Sequence, residues 1–173
     1  MITVPELSAE ALGSYLSSDL DLRFGSTEAE LTELIPSVAR LALECIGNSD
    51  SLYHNVEHTM LVTLVGFDIM KGRSLLIPTP ASDYAHLLVA CLFHDIGYVR
   101  GILTGDDEAG YVTDNKGGKV KLERGASDAA LTPYHVDRSK LFAIDRLARI
   151  DLIDVPRERR TAALPNKYLM KPP

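Results

Sequence analysis

Leu87-Leu88-Val89-Ala90-Cys91-Leu92-Phe93, followed at once by His94-Asp95, is the stretch that decides the fold. Ser82 and Asp83 ahead of it can open a helix, and the run that follows is apolar nearly all round, so it belongs in a core. A buried helix that ends in adjacent His and Asp is hard to explain by packing alone. Ionised aspartate is almost never fully buried unless it is paired or binds a metal. The pair asks for a cation.

Upstream, His54-Asn55-Val56-Glu57-His58 opens another amphipathic run, Tyr53 to Met70, with apolar residues at Met60, Leu61, Leu64, Val65 and Ile69. Histidines four apart on a helix project from one face about one turn from each other, so His54 and His58 can share a site. Imidazole suits borderline ions such as zinc or iron, and carboxylate suits harder ones such as magnesium or manganese. The expected cofactor is therefore a divalent metal ion (Mn, Fe, Zn or Mg), its identity left open by a mixed donor set.

Outward from these segments the punctuation separates runs of helical period. Ser8 can cap a first helix to about Leu20. Thr27 and Glu30 have capping-box spacing for a second, which runs to Ile46 before Gly47 and contains Pro36. Gly97 can end the apolar helix in a left-handed cap. Residues 98 to 123 are rich in glycine, and Tyr111-Val112-Thr113 faces Lys119-Val120-Lys121 across a short polar link, which predicts a small hairpin. Helices resume at Glu123 to Leu131 and at Asp137 to Ile150, and Pro156 suits the start of a last short one. The expected architecture is all-α: a compact helical bundle of one domain over residues 1–173, with one small β-hairpin in a long loop. Within that loop Asp106-Asp107-Glu108 reads as a solvated tip, and the loop itself is a candidate lid.

Composition narrows the function. A chain of 173 residues, 46% hydrophobic and 24% charged, can bury roughly 70% of its unfolded surface without a disulfide staple. Cys45 and Cys91 lack metal or disulfide spacing and read as buried reduced thiols, consistent with a cytoplasmic address. The N-terminal residues do not have the form of a signal peptide, and no stretch approaches a membrane span. Net charge is −6, which disfavours attraction to a polyanion, so a nucleic-acid partner is not expected. Arg157, Arg159 and Arg160 form the one dense basic cluster and read as a solvated helix face.

The His94-Asp95 pair resembles the hallmark of the HD-domain metal-dependent phosphohydrolases, and Tyr53-His54-Asn55 followed by His58 is similar to the signature of cyclic-nucleotide phosphodiesterases within that superfamily. The resemblance covers about residues 50 to 100; Pro133-Tyr134-His135-Val136-Asp137-Arg138 is similar to a motif of small bacterial members. It implies that His58, His94 and Asp95 are metal ligands, that Asp95 belongs to the catalytic set, and that His54 is the general acid that protonates the leaving alkoxide. The cyclic-nucleotide enzymes carry a further histidine where this chain has Tyr98, which weakens that specificity.

The superfamily completes its metal shell with a later aspartate. Asp151 is the preferred candidate, with Asp154, Asp145 and Asp137 behind it. Leu152-Ile153-Asp154-Val155 also resembles a segment that precedes the final ligand, and in that register the ligand is missing. His135 and Arg138 are candidate substrate contacts: His135 for a phosphate or a second metal against a plain turn residue, Arg138 for a phosphate against a neighbouring carboxylate. The expected activity is hydrolysis of a phosphate ester, a nucleotide among the candidates, by metal-activated water. The alternative is a degenerate, non-catalytic module that binds metal or nucleotide weakly and serves as an interaction unit. A shortened C-terminal half exposes apolar helix surface, so homodimerisation is expected as well.

Overall fold

A computed structural model describes residues 2–25 and 29–147. Thr3 starts α1 (Val4–Phe24): its hydroxyl accepts from the Glu6 amide while the Glu6 carboxylate accepts from the Thr3 amide, so this capping box begins the helix ahead of Ser8. Leu12, Leu16 and Leu20 bury one face against Ile35, Val38, Ala39 and Leu43 of α2 (Ala29–Ile46). The two helices meet where Gly13 faces Pro36. A Cβ on Gly13 would lie 2.9 Å from the Pro36 Cα, so only glycine permits this approach. The expected Thr27 cap lies outside the described residues.

α3 (Val56–Ser74) starts later than the sequence predicts, because Asn55 is its cap and accepts from the His58 amide. Its fully buried face is not the row of large aliphatic residues. Phe67, Gly66, Thr59 and Thr63 are buried, each threonine hydroxyl donating to the carbonyl four residues earlier, whereas Leu61, Val65 and Ile69 are exposed. α4 (Ala81–Phe93) lies against α3, with the Cys91 sulfur in the place that a Gly66 side chain would occupy. Cys45 and Cys91 are free and half-buried, and burial pushes both thiols up.

Past His94 the chain turns through a 3-10 segment, Ile96–Tyr98, instead of closing on a left-handed Gly97. The hairpin is present: β1 (Tyr111–Val112) pairs antiparallel with β2 (Lys119–Val120), Tyr111 opposite Val120. The helix expected over 123–131 is reduced to a turn at Gly125 and a 3-10 segment, Asp128–Leu131. That segment is pinned by Arg100, which pairs with Asp50 and Asp128, while the two aspartates exchange side-chain bonds with each other's amides. α5 (His135–Leu147) follows and sets Phe142 against Phe93. One hydrophobic cluster thus draws on all of α1 to α5, and the fold is mostly helical with a two-stranded hairpin, as the periodicity predicts. Among the described residues no helix is long and apolar enough to cross a membrane.

Candidate metal centre

Three elements bring the site together. The loop before α3 carries His54, the first turn of α3 carries His58, and the end of α4 carries His94 and Asp95. His54 is therefore not on the helix face shared with His58, yet its position just ahead of the cap still delivers it. Asp95 has φ −108° and ψ 0°, the sparsely populated bridge conformation common at active sites, and is only 3% exposed.

His54, His58 and His94 converge on one carboxylate oxygen of Asp95. Asp95 Oδ2 lies 2.7 Å from His54 Nδ1, 2.9 Å from His94 Nε2 and 3.3 Å from His58 Nε2. The two Nε2 atoms of His58 and His94 are themselves 3.3 Å apart. Ligand atoms of His54, His58 and Asp95 fall within 4.8 Å of one another, so the group has the compactness that a single ion requires.

The hydrogen bonds decide what this cluster wants. His94 Nδ1 lies 2.7 Å from the Cys91 carbonyl, which can only accept, so Nδ1 carries a proton and Nε2 points its lone pair at Asp95. A lone pair facing a buried carboxylate oxygen is repulsive unless a proton or a metal ion stands between them. The titration directions agree. Burial lowers the His94 pKa, but the Asp95 carboxylate and the Cys91 carbonyl outweigh it and hold the imidazole above its ordinary value. Asp95, which burial alone would raise, is held down by His94 and His54. His58 is pushed down, chiefly by burial, which favours the neutral ligand form. The three histidine side chains keep 20 to 30% of their surface exposed, so solvent reaches the cluster. The cluster is therefore partly open rather than sealed like a structural metal site. The residues present fit a divalent cation.

Aromatic rings frame the cluster in a way the sequence did not disclose. Tyr98 stacks on His54 at 4.1 Å between ring centres and on His135 at 4.5 Å. Tyr98 thus holds two imidazoles in place. Tyr98 is 2% exposed, and its hydroxyl has no hydrogen-bond partner among the described residues. Tyr53, which is exposed, tilts over the His58 ring at 4.5 Å. His135 Nδ1 donates to the Thr132 carbonyl, leaving Nε2 available beside the site.

Arg138 is the main correction. It is completely buried and uses its guanidinium within the protein: Nε donates to the Gly97 carbonyl, one terminal nitrogen to the Val112 carbonyl and Asp106, the other to the Val99 carbonyl and Asp106. Of the two readings of this residue, pairing with a carboxylate is the one found, and no donor is left for a phosphate. Asp106 is accordingly not part of a solvated tip; its side chain is 1% exposed, while Asp107 and Glu108 are exposed as expected. The hairpin is anchored to Arg138 through Asp106 and Val112, so what it covers among these contacts is the guanidinium.

Next to Arg138, the Ser139 hydroxyl accepts from the Gly97 amide and donates to the His94 carbonyl. Two adjacent α5 residues therefore clamp the backbone that carries the His-Asp pair. The clamp needs Gly97, where a Cβ would lie 2.0 Å from the His135 carbonyl oxygen. Gly97→Ala is expected to cost about 3 kcal/mol through overpacking, read as a lowered urea midpoint; an unchanged midpoint would contradict the close approach.

Among the described residues no other carboxylate joins the cluster: Asp137 is exposed and pairs with Lys140, and Asp145 is about half exposed near Arg146. Asp151 and Asp154 lie outside the described residues, as do the arginines at 157, 159 and 160 and the helix expected at Pro156. No curated protein and no solved structure matches the chain. One family does match, described as Npun_R2479-like, over residues 3–165, a span that includes every residue of the cluster. The chain belongs to the Npun_R2479-like family.

Proposed function

We propose that this chain is a metal-dependent phosphohydrolase of the HD type that cleaves a phosphate ester, with a nucleotide as the favoured class of substrate. The observation that carries this reading is the meeting of His58 Nε2 and His94 Nε2 at Asp95 Oδ2, with the other His94 nitrogen committed to a carbonyl. A divalent cation held there would polarise a phosphoryl oxygen and lower the pKa of water. His54 binds Asp95 through Nδ1, so its Nε2 is the atom that can hold a proton for the leaving oxygen. Tyr98 keeps that ring in plane, and His135, 6.4 Å from His54 between ring centres, offers Nε2 to the substrate phosphate. The exposed Tyr53 ring beside His58 is a stacking surface for a planar group, which favours a nucleotide over an alkyl phosphate. The free, unreactive thiols favour a reducing, cytoplasmic setting.

Metal analysis of the purified chain, paired with turnover of bis(p-nitrophenyl) phosphate in added manganese, tests this. Stoichiometric metal and turnover are expected; an empty, inert protein would support the second reading, a non-catalytic binding module, for which the presence of one carboxylate in the cluster among the described residues speaks. The role of His54 has its own test. His54→Gln leaves His58, His94 and Asp95 in place, so it is expected to keep the metal and to slow an alkyl ester on the order of 10²-fold, with much less effect on a p-nitrophenyl ester, whose leaving group needs no proton. Equal losses on both esters would remove the general-acid role.

A further inference from the structure

We infer that two copies of this chain associate through α3, packed antiparallel about a twofold axis at Val65. The exposed face of α3 is a row of residues four apart, Glu57, Leu61, Val65, Ile69 and Arg73, which spans about 24 Å at 1.5 Å per residue. The three central residues are 55%, 58% and 65% exposed, although each is a large aliphatic residue. Isolated exposed apolar residues need no explanation, but an aliphatic row along one helix marks a contact surface.

The row also names its occupant. It ends in a carboxylate at its N-terminal end and a guanidinium at its C-terminal end, and neither Glu57 nor Arg73 has an ion-pair partner among the described residues. A twofold contact must be self-complementary, each residue meeting its counterpart across the axis. When rows of this spacing interdigitate at their usual crossing of about −50°, the two rows lie side by side and, in an antiparallel pair, run in opposite directions. Val65 then meets Val65, Leu61 meets Ile69 of the second copy, and Glu57 comes to Arg73 of the second copy at both rims. A surface that is apolar at the centre, positive at one end and negative at the other fits its own copy reversed. Further apolar surface borders the row. Val4, 72% exposed, lies with Met60, Leu61 and Leu64 along a groove at the start of α3, and Leu75 and Leu76, 84% and 86% exposed, follow its end.

The contact is independent of metal and of turnover, so sedimentation velocity on the intact chain tests it separately from the proposed activity. A concentration-dependent dimer of the 18.9 kDa chain is expected in the micromolar range. Val65→Asp places two carboxylates at the axis and is expected to raise the dissociation constant at least about 100-fold. Glu57→Arg and Arg73→Glu each set like charges together at both rims and are expected to raise it roughly tenfold, while the double reversal returns it close to the starting value. All of these positions are exposed, so far-UV circular dichroism should stay unchanged. A monomer up to about 100 µM, a dimer indifferent to Val65→Asp, or single reversals that the double does not rescue would each overturn the inference.

Discussion

Under the proposed function, Asp95→Ala is expected to abolish metal binding and to reduce phosphate-ester hydrolysis on the order of 10²- to 10³-fold, the equivalent of several kcal/mol of lost charge stabilisation. Asp95 Oδ2 is the atom on which His54, His58 and His94 all converge, and among the described residues no other carboxylate stands by to replace it. The fold should survive the change. The clamp from α5 holds the backbone of His94, Gly97 and Val99 and does not use the Asp95 side chain. Removing the carboxylate also removes the buried charge that the imidazoles neutralise, so no unpaired ion is left behind. The measurement is metal content and turnover on the same folded sample. A variant that keeps stoichiometric metal and wild-type turnover would show that the convergence is a hydrogen-bond network only.

Arg138→Met is expected to be the most damaging change to stability, at about 3–5 kcal/mol, because it breaks a buried ion pair from one side. Asp106 would keep the amides of Leu103 and Val112 but lose both bonds to the guanidinium, and the carbonyls of Gly97, Val99 and Val112 would lose their donor in a place water does not reach. Against a total stability of about 5–15 kcal/mol, that leaves a marginal domain. Arg138→Lys should recover little, since one ammonium cannot reach acceptors spread around a planar fork. Replacing Asp106 together with Arg138 should cost less than the sum of the two single changes, because each partner is harmful chiefly when the other stays behind. Urea unfolding measures all of these. A loss under about 1 kcal/mol for Arg138→Met would refute the structural role given to this residue.

His94-Asp95 was legible as a site because a charged pair at the end of a fully apolar helix has few physical explanations. His58 was legible because it shares a helical run with apolar residues and lies near a second histidine. His54 joins the cluster from a different element than the spacing suggests; Asn55 caps α3 and leaves His54 outside it, which a run of polar residues does not announce. The apolar residues of α3 divide between two faces: Met60 and Leu64 pack against the core, whereas Leu61, Val65 and Ile69 are exposed. Their spacing is that of an amphipathic helix, and periodicity reports that a face is apolar without reporting what covers it. The small residues Gly66, Thr59 and Thr63 could take the inner side because they let α4 approach closely.

Local sequence by itself determined the helices, the hairpin and the cluster of metal-seeking residues, since each follows from spacing and residue chemistry over a few turns of chain. Tertiary structure alone decided that Arg138 holds the fold rather than the substrate, that Tyr98 carries two imidazoles, and that Gly97 is a contact point rather than a cap. Those roles depend on α5 returning to the end of α4 from some 40 residues away in sequence. A guanidinium has the same donors whether it meets a phosphate or three carbonyls and a carboxylate, and only the packed chain settles which acceptors are in reach.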